Sequence, residues 1–131
     1  MDASGLLDRA VIKEMGCLGL MGVDLPEQFG GLGAPGVTAG IIAEELAYGD
    51  FNVSAVPVGV SLLGAVIMSS ATPALAEYWI PRMISGETLM GVCVTEPSAG
   101  SDAGAMKLRC RRDGDFYVLD GENLDHLYST A

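Results

Sequence analysis

With 131 residues, half of them hydrophobic, the chain is long and apolar enough to bury one real core, which excludes a disordered chain. A net charge of −10 argues against nucleic acid, whose phosphates need clustered Lys and Arg, and against an anionic membrane surface. Three cysteines without CxxC spacing and a single histidine argue against a disulfide framework or a zinc site built on several histidines, and make a reducing cytoplasm the default compartment.

The first predicted element is an amphipathic helix from Ala3 to Leu20, with Leu6, Leu7, Ala10, Val11, Met15 and Leu18 at helical spacing. Asp2 or Ser4 is its expected cap, and Gly16 with Gly19 its expected end. Pro26 and the glycines at 30, 31 and 33 then force a compact irregular loop. A phosphate cradle over Gly30 to Gly36 is rejected, because no Gly-Lys-Ser/Thr follows and no strand precedes. A second helix is expected from a Thr38 cap to about Tyr48, closed by Gly49. Glu44 and Glu45 are neighbours on it, about 100° apart, and so cannot act as a catalytic pair.

No charged residue occurs between Asp50 and Glu77. That length could span a bilayer, but Asn52, Pro57, several serines and glycines, and the lack of flanking Lys or Arg favour a soluble helix over Phe51 to Ala71, buried on nearly all sides. Pro57 is expected near its first turns, where proline is tolerated. Thr72-Pro73 is a cap followed by proline at the first helical position, opening a helix with Leu75, Tyr78, Trp79 and Ile80, after which Pro81 follows. Trp79 reads as core rather than as a cofactor-stacking ring.

From Leu89 the hydrophobic period changes from helical to alternating. Strands are expected at Leu89 to Val94, Met106 to Arg111 and Phe116 to Leu119, with a tight turn at Asp113-Gly114. Lys107, Arg109 and Arg111 fall on one face of the second strand, a solvated face rather than a binding patch, with Leu108 and Cys110 opposite. Helices first and strands later is an α+β order, with the break near Gly86: a helical domain over 1–87 and a β domain over 88–131.

Between the first two strands lies Thr95-Glu96-Pro97-Ser98-Ala99-Gly100-Ser101-Asp102. A turn of small residues and hydroxyls lets a backbone approach a flat or anionic ligand, with the Thr95 and Ser101 hydroxyls and free N–H groups as donors. Chemistry alone leaves a ligand loop and an ordinary loop both open. The wording of the motif is more specific. It resembles the signature of the acyl-CoA dehydrogenase family, and Pro26-Glu27-Gln28-Phe29-Gly30-Gly31-Leu32-Gly33, Ala43-Glu44-Glu45-Leu46-Ala47 and Glu77 to Glu87 are similar to that family's early loop, second-helix and pre-strand segments, in the same order.

The resemblance, over about Leu6 to Gly121, implies an N-terminal all-α domain followed by the beginning of an antiparallel β domain, with the rest of that domain and a C-terminal four-helix domain outside these residues. It implies FAD as cofactor, bound along Val92, Cys93, Val94, Thr95, Gly100 and Ser101, with Ser101 also reaching an acyl-CoA substrate. The implied reaction is α,β-dehydrogenation with hydride transfer to the flavin, whose electrons leave through an electron-transfer flavoprotein. The implied catalytic Glu belongs to the outside part, so no catalytic residue is assigned and the chain alone is expected to be inactive. A homo-oligomer or a complementing chain is expected. After Gly121, Asn123 and Asp125 stand where the family carries Lys and Trp, so half of the flavin wall is missing or rebuilt. His126 beside them reads as a solvated side chain, and the tail from Leu124 to Ala131 as native or foreign sequence. The alternative from another class is a non-catalytic helical assembly or regulatory module.

Overall fold

Four helical stretches, then a basic run and an aromatic run joined at Gly114, give the computed structural model its element order. It describes residues 7–124, which fall into two units, Met1–Met90 and Gly91–Ala131. In the first unit, α1 is Arg9–Cys17, α2 Gly36–Gly49, α3 Phe51–Ser70 and α4 Pro73–Ile84, with a 3₁₀ turn at Glu27–Phe29.

The cap of α1 is Asp8, whose carboxylate accepts the Ala10 N–H at 2.8 Å. The expected helix therefore starts later than Ala3, and the expected caps Asp2 and Ser4 lie outside the described residues. Gly19, at φ +71° just past the Leu18 cap, ends α1 as expected, with its N–H donating to the Gly16 carbonyl at 3.0 Å. Gly16 itself is in the last turn, where a Cβ would stand 2.6 Å from the Ser85 backbone, so the position is small because the chain after α4 lies against it. The second helix starts at Gly36 behind Pro35, whose φ of −57° and ψ of 145° set the entry, so Thr38 is inside the helix and not its cap. Asp50 ends α2 and caps α3 by accepting the Asn52 N–H at 2.8 Å.

Ile12 and Met15 of α1, Met21, Val23, Leu25 and Phe29 of the loop, Val56, Val60 and Leu63 of α3, and Ala76, Ile80, Met83 and Ile84 of α4 make the core. Pro81 does not end α4, because Ile80, Met83 and Ile84 are buried on both sides of it and hold the last turn helical. Trp79 is half-buried and meets Tyr78 edge-on, ring centroids 4.8 Å apart.

Two expectations for α3 are corrected. Pro57 lies past the first turn, buried in the helix interior. The helix is also not buried on nearly all sides: α2 and α4 pack on it, and Val58, Leu62, Val66 and Met68 are exposed. By length and composition alone α3 could cross a membrane, with 33% of its most apolar stretch buried.

The loop between α1 and α2 is held by its own backbone. The Gly33 N–H donates to the Leu25 carbonyl and the Ala34 N–H to the Val23 carbonyl, both at 2.9 Å. Gly31 sits inside this turn, where a Cβ would run into the Leu25 carbonyl oxygen. Ser61 Oγ donates to Asp24 Oδ1 at 2.6 Å and ties the loop to α3.

In the second unit, β1 (Arg109–Asp113) and β2 (Phe116–Asp120) form an antiparallel hairpin, with Arg109 opposite Asp120 and Asp113 opposite Phe116. The turn residues are Gly114 and Asp115, one position later than expected, with Gly114 at φ +61°. β1 likewise starts at Arg109 rather than Met106. Leu89 to Val94 is not a strand: among the described residues the sheet has only two strands, so this apolar run has no ladder to join. Leu108 and Cys110 are exposed like the basic residues beside them, so β1 has no inner face; on β2, Phe116, Tyr117 and Leu119 are exposed too.

Gly31→Ala is expected to cost the helical unit about 2–3 kcal/mol, since the new methyl meets backbone rather than a yielding side chain. Ile80→Ala, at a 0% exposed position, is expected to cost about 2–5 kcal/mol. Urea denaturation followed by helical circular dichroism measures both; a loss under about 0.5 kcal/mol for either contradicts the packing described.

Candidate functional site

The octapeptide 95–102 is shaped by hydrogen bonds that close on Glu96. Its N–H donates to the Ala99 carbonyl at 2.8 Å and the Ala99 N–H donates back to the Glu96 carbonyl at 3.1 Å, with Pro97 and Ser98 as the turn between them. Proline at the first corner presets that turn. The Glu96 side chain is 6% exposed, and its carboxylate accepts the Lys107 N–H at 2.6 Å and the Leu108 N–H at 2.9 Å. Ala99, 5% exposed, is the other buried residue among the described residues of this unit.

Upstream, Val92 and Val94 are half-buried and Cys93 exposed, the alternation of a chain with one covered side. Thr95 is half-buried, and its carbonyl accepts the Leu124 N–H at 2.8 Å, which brings the segment after β2 alongside the motif. That segment is where Asn123 replaces the expected Lys. Asn123 is half-buried and engaged, whereas Asp125 and His126 lie outside the described residues.

Beyond the turn the chain opens to solvent. Gly100 and Ser101 are exposed, and a Cβ at Gly100 would meet nothing within 4 Å. Among the described residues, neither the main-chain N–H groups of Gly100 and Ser101 nor the Ser101 hydroxyl make a hydrogen bond. Asp102 follows, accepting from the Ala105 N–H at 3.0 Å to start the 3₁₀ turn Ala103–Ala105. The site is thus a pinned turn with an uncrowded, donor-bearing edge. That donor set fits a flat ligand rich in acceptor oxygens and nitrogens, and so fits a flavin.

The structure brings Thr95, Gly100 and Ser101 onto one stretch of loop and leaves Val92, Cys93 and Val94 on the run leading into it. Sequence reasoning misses Glu96 as an anchor, because its partners are 11 and 12 residues further along the chain. No group of three or more metal-ligating side chains occurs among the described residues. Cys17, Cys93 and Cys110 are free and exposed, and Glu44 and Glu45 are exposed. In the helical unit a mostly apolar concavity of about 250 Å³ lies among Leu20, Val23, Asp24, Ala39, Pro57 and Ser61.

The family model of the acyl-CoA dehydrogenase N-terminal domain matches residues 1–87. The chain belongs to the acyl-CoA dehydrogenase family. It is 31% identical over 116 residues to (2S)-methylsuccinyl-CoA dehydrogenase of Cereibacter sphaeroides, a match covering 88% of this chain and 21% of that protein. Among solved structures, it is similar to an acyl-CoA dehydrogenase complexed with FAD from Bacillus anthracis (TM-score 0.75, 31% identity, 88% of this chain and 20% of that one). It is also similar to a chain in the electron transferring flavoprotein structure of Acidaminococcus fermentans (TM-score 0.81, 29% identity, 92% of this chain and 32% of that one). The chain therefore spans about a fifth to a third of the length of the acyl-CoA dehydrogenases and related proteins it matches.

Proposed function

We propose that these residues are the N-terminal helical domain (1–87) and the opening of the middle β domain (88–131) of an FAD-dependent acyl-CoA dehydrogenase, and that 92–101 is one wall of its flavin site. The observation that carries this reading is the pinned turn at Glu96, which leaves the donors of Gly100 and Ser101 exposed on an uncrowded edge, in a chain of this family. The B. anthracis relative's FAD supports the choice of ligand.

In this reading Val92, Cys93 and Val94 form the run along which the flavin lies, and Thr95, Gly100 and Ser101 hold its polar edge through main-chain groups and hydroxyls. Ser101, at the exposed end of the loop, also reaches the acyl-CoA thioester. FAD, when bound, supplies the hydride acceptor for α,β-dehydrogenation. The work of these residues is to bind and orient; no carboxylate among them serves as the α-proton base, since Glu96 is committed to two main-chain N–H groups. An electron-transfer flavoprotein is the proposed electron acceptor, the Acidaminococcus structure supplying the precedent. The protein works in the cytoplasm, as a homo-oligomer or with a complementing chain.

One observation favours a second reading, a non-catalytic assembly module: α2 has no buried residue, and its Val37, Ile41 and Tyr48 are exposed, as is Phe51 at the start of α3. A yellow, flavin-bearing preparation supports the dehydrogenase reading; a colourless stable dimer supports the module.

Ser101→Ala is expected to weaken FAD binding to the 131-residue chain about fivefold, for one lost hydrogen bond near 1 kcal/mol. Titration by flavin fluorescence measures it, and an unchanged affinity contradicts the role given to Ser101. With FAD, an acyl-CoA and a dye acceptor, the 131 residues alone are expected to give no turnover; dye reduction above the FAD-only control overturns that expectation.

A further inference from the structure

Glu96 has no part in the chemistry proposed above, yet it is a charged side chain 6% exposed in a unit that buries little else. A carboxylate is withdrawn from water only where hydrogen bonds replace its hydration. Here both oxygens are used, Oε2 by the Lys107 N–H at 2.6 Å and Oε1 by the Leu108 N–H at 2.9 Å, and the residue's own N–H and carbonyl are both bonded to Ala99. Four hydrogen bonds thus converge on one residue. The two at the side chain close the loop 97–106, which contains Gly100, Ser101 and Asp102. Within that loop Ala99 is the only buried residue, so hydrophobic packing does little to fix its shape.

We infer that Glu96 is a positioning residue of the flavin loop: its carboxylate, by holding the Lys107 and Leu108 N–H groups, keeps Gly100 and Ser101 in the conformation that receives FAD. The inference rests on the flavin reading of residues 92–101. The physical argument is pre-organisation. A loop that is in its binding shape only part of the time binds with an apparent Kd raised by the inverse of that fraction. Charge-assisted hydrogen bonds to main-chain N–H groups are about twice as strong as neutral ones. Loss of the pair therefore moves the loop from mostly closed to mostly open. Glu96→Gln preserves shape but presents an NH₂ to one of the two N–H donors, so one bond is weakened and the other replaced by a donor–donor contact.

The test uses the ¹⁵N-labelled 131-residue chain, its Glu96→Gln variant, and FAD as the titrant. Hydrogen exchange at Lys107 and Leu108 is expected to accelerate at least tenfold in the variant. FAD-induced shifts at Gly100 and Ser101 are expected to half-saturate at about tenfold higher FAD, while amides of the buried helical core keep their exchange rates. Unchanged exchange at Lys107 and Leu108 in the variant overturns the inference. So does exchange of these two amides in the unmodified chain as fast as in an open peptide, a measurement that needs no variant to fold. FAD shifts at Gly100 and Ser101 with the same half-saturation in both proteins overturn the inference and leave the flavin reading standing. Absence of any FAD shift there in the unmodified chain overturns the flavin reading itself, and with it the ligand assigned to this loop.

Discussion

Residues 91–124 owe their shape to one carboxylate. The hairpin β1–β2 is exposed on nearly every residue and buries no core. An isolated two-stranded hairpin is marginal in water. What fixes the adjoining loop is the buried Glu96 side chain, bonded to the main chain at Lys107 and Leu108 where β1 is about to begin. The Leu124 N–H on the Thr95 carbonyl ties the far end of the hairpin back to the same motif. The octapeptide and the hairpin therefore form one hydrogen-bonded piece, with the polar edge of the motif left outside it.

The helical unit is built on the opposite principle, apolar burial with backbone crowding at a few glycines. The loop between α1 and α2 places Met21, Val23, Leu25 and Phe29 in the core, and α1, α3 and α4 complete it. Gly31 is required there by the Leu25 carbonyl, and Gly16 by the backbone at Ser85. Gly31, one of the glycines in the segment that resembles the family's early loop, thus acquires a mechanical reason in this chain: the loop can be tight only where no Cβ intervenes. The outer faces of α2 and α3 remain apolar and exposed, which no local rule of helix formation explains.

Much of this was legible in the sequence, and the misses have physical causes. Thr72-Pro73 announced α4 correctly because proline is suited to the first helical turn, and the uncharged run after Asp50 announced α3. The sequence leaves the end of α4 open around Pro81; tertiary burial of Ile80, Met83 and Ile84 outweighs the proline's local penalty and carries the helix to Ile84. Thr38 was read as a cap because Pro35 and Gly36 look like loop; the proline instead sets the entry to the helix. Leu89 to Val94 was read as a strand from composition, yet a strand is defined by its partner, and composition does not contain one. Burial on nearly all sides of α3 was inferred from its lack of charge, which constrains hydropathy but not neighbours. The motif at 95–102 was legible by its wording alone. The anchoring of Glu96 was not, since a hydrogen bond to a main-chain N–H leaves no trace in the identity of the residue that donates it.

The central claim is that the edge bearing Gly100 and Ser101 meets a flavin. Intermolecular nuclear Overhauser effects between FAD and the labelled 131-residue chain test it most directly. The account predicts contacts from the isoalloxazine protons to Gly100, Ser101 and the Val92–Val94 run. Contacts confined to the helical unit, or none while FAD is demonstrably bound, would contradict it.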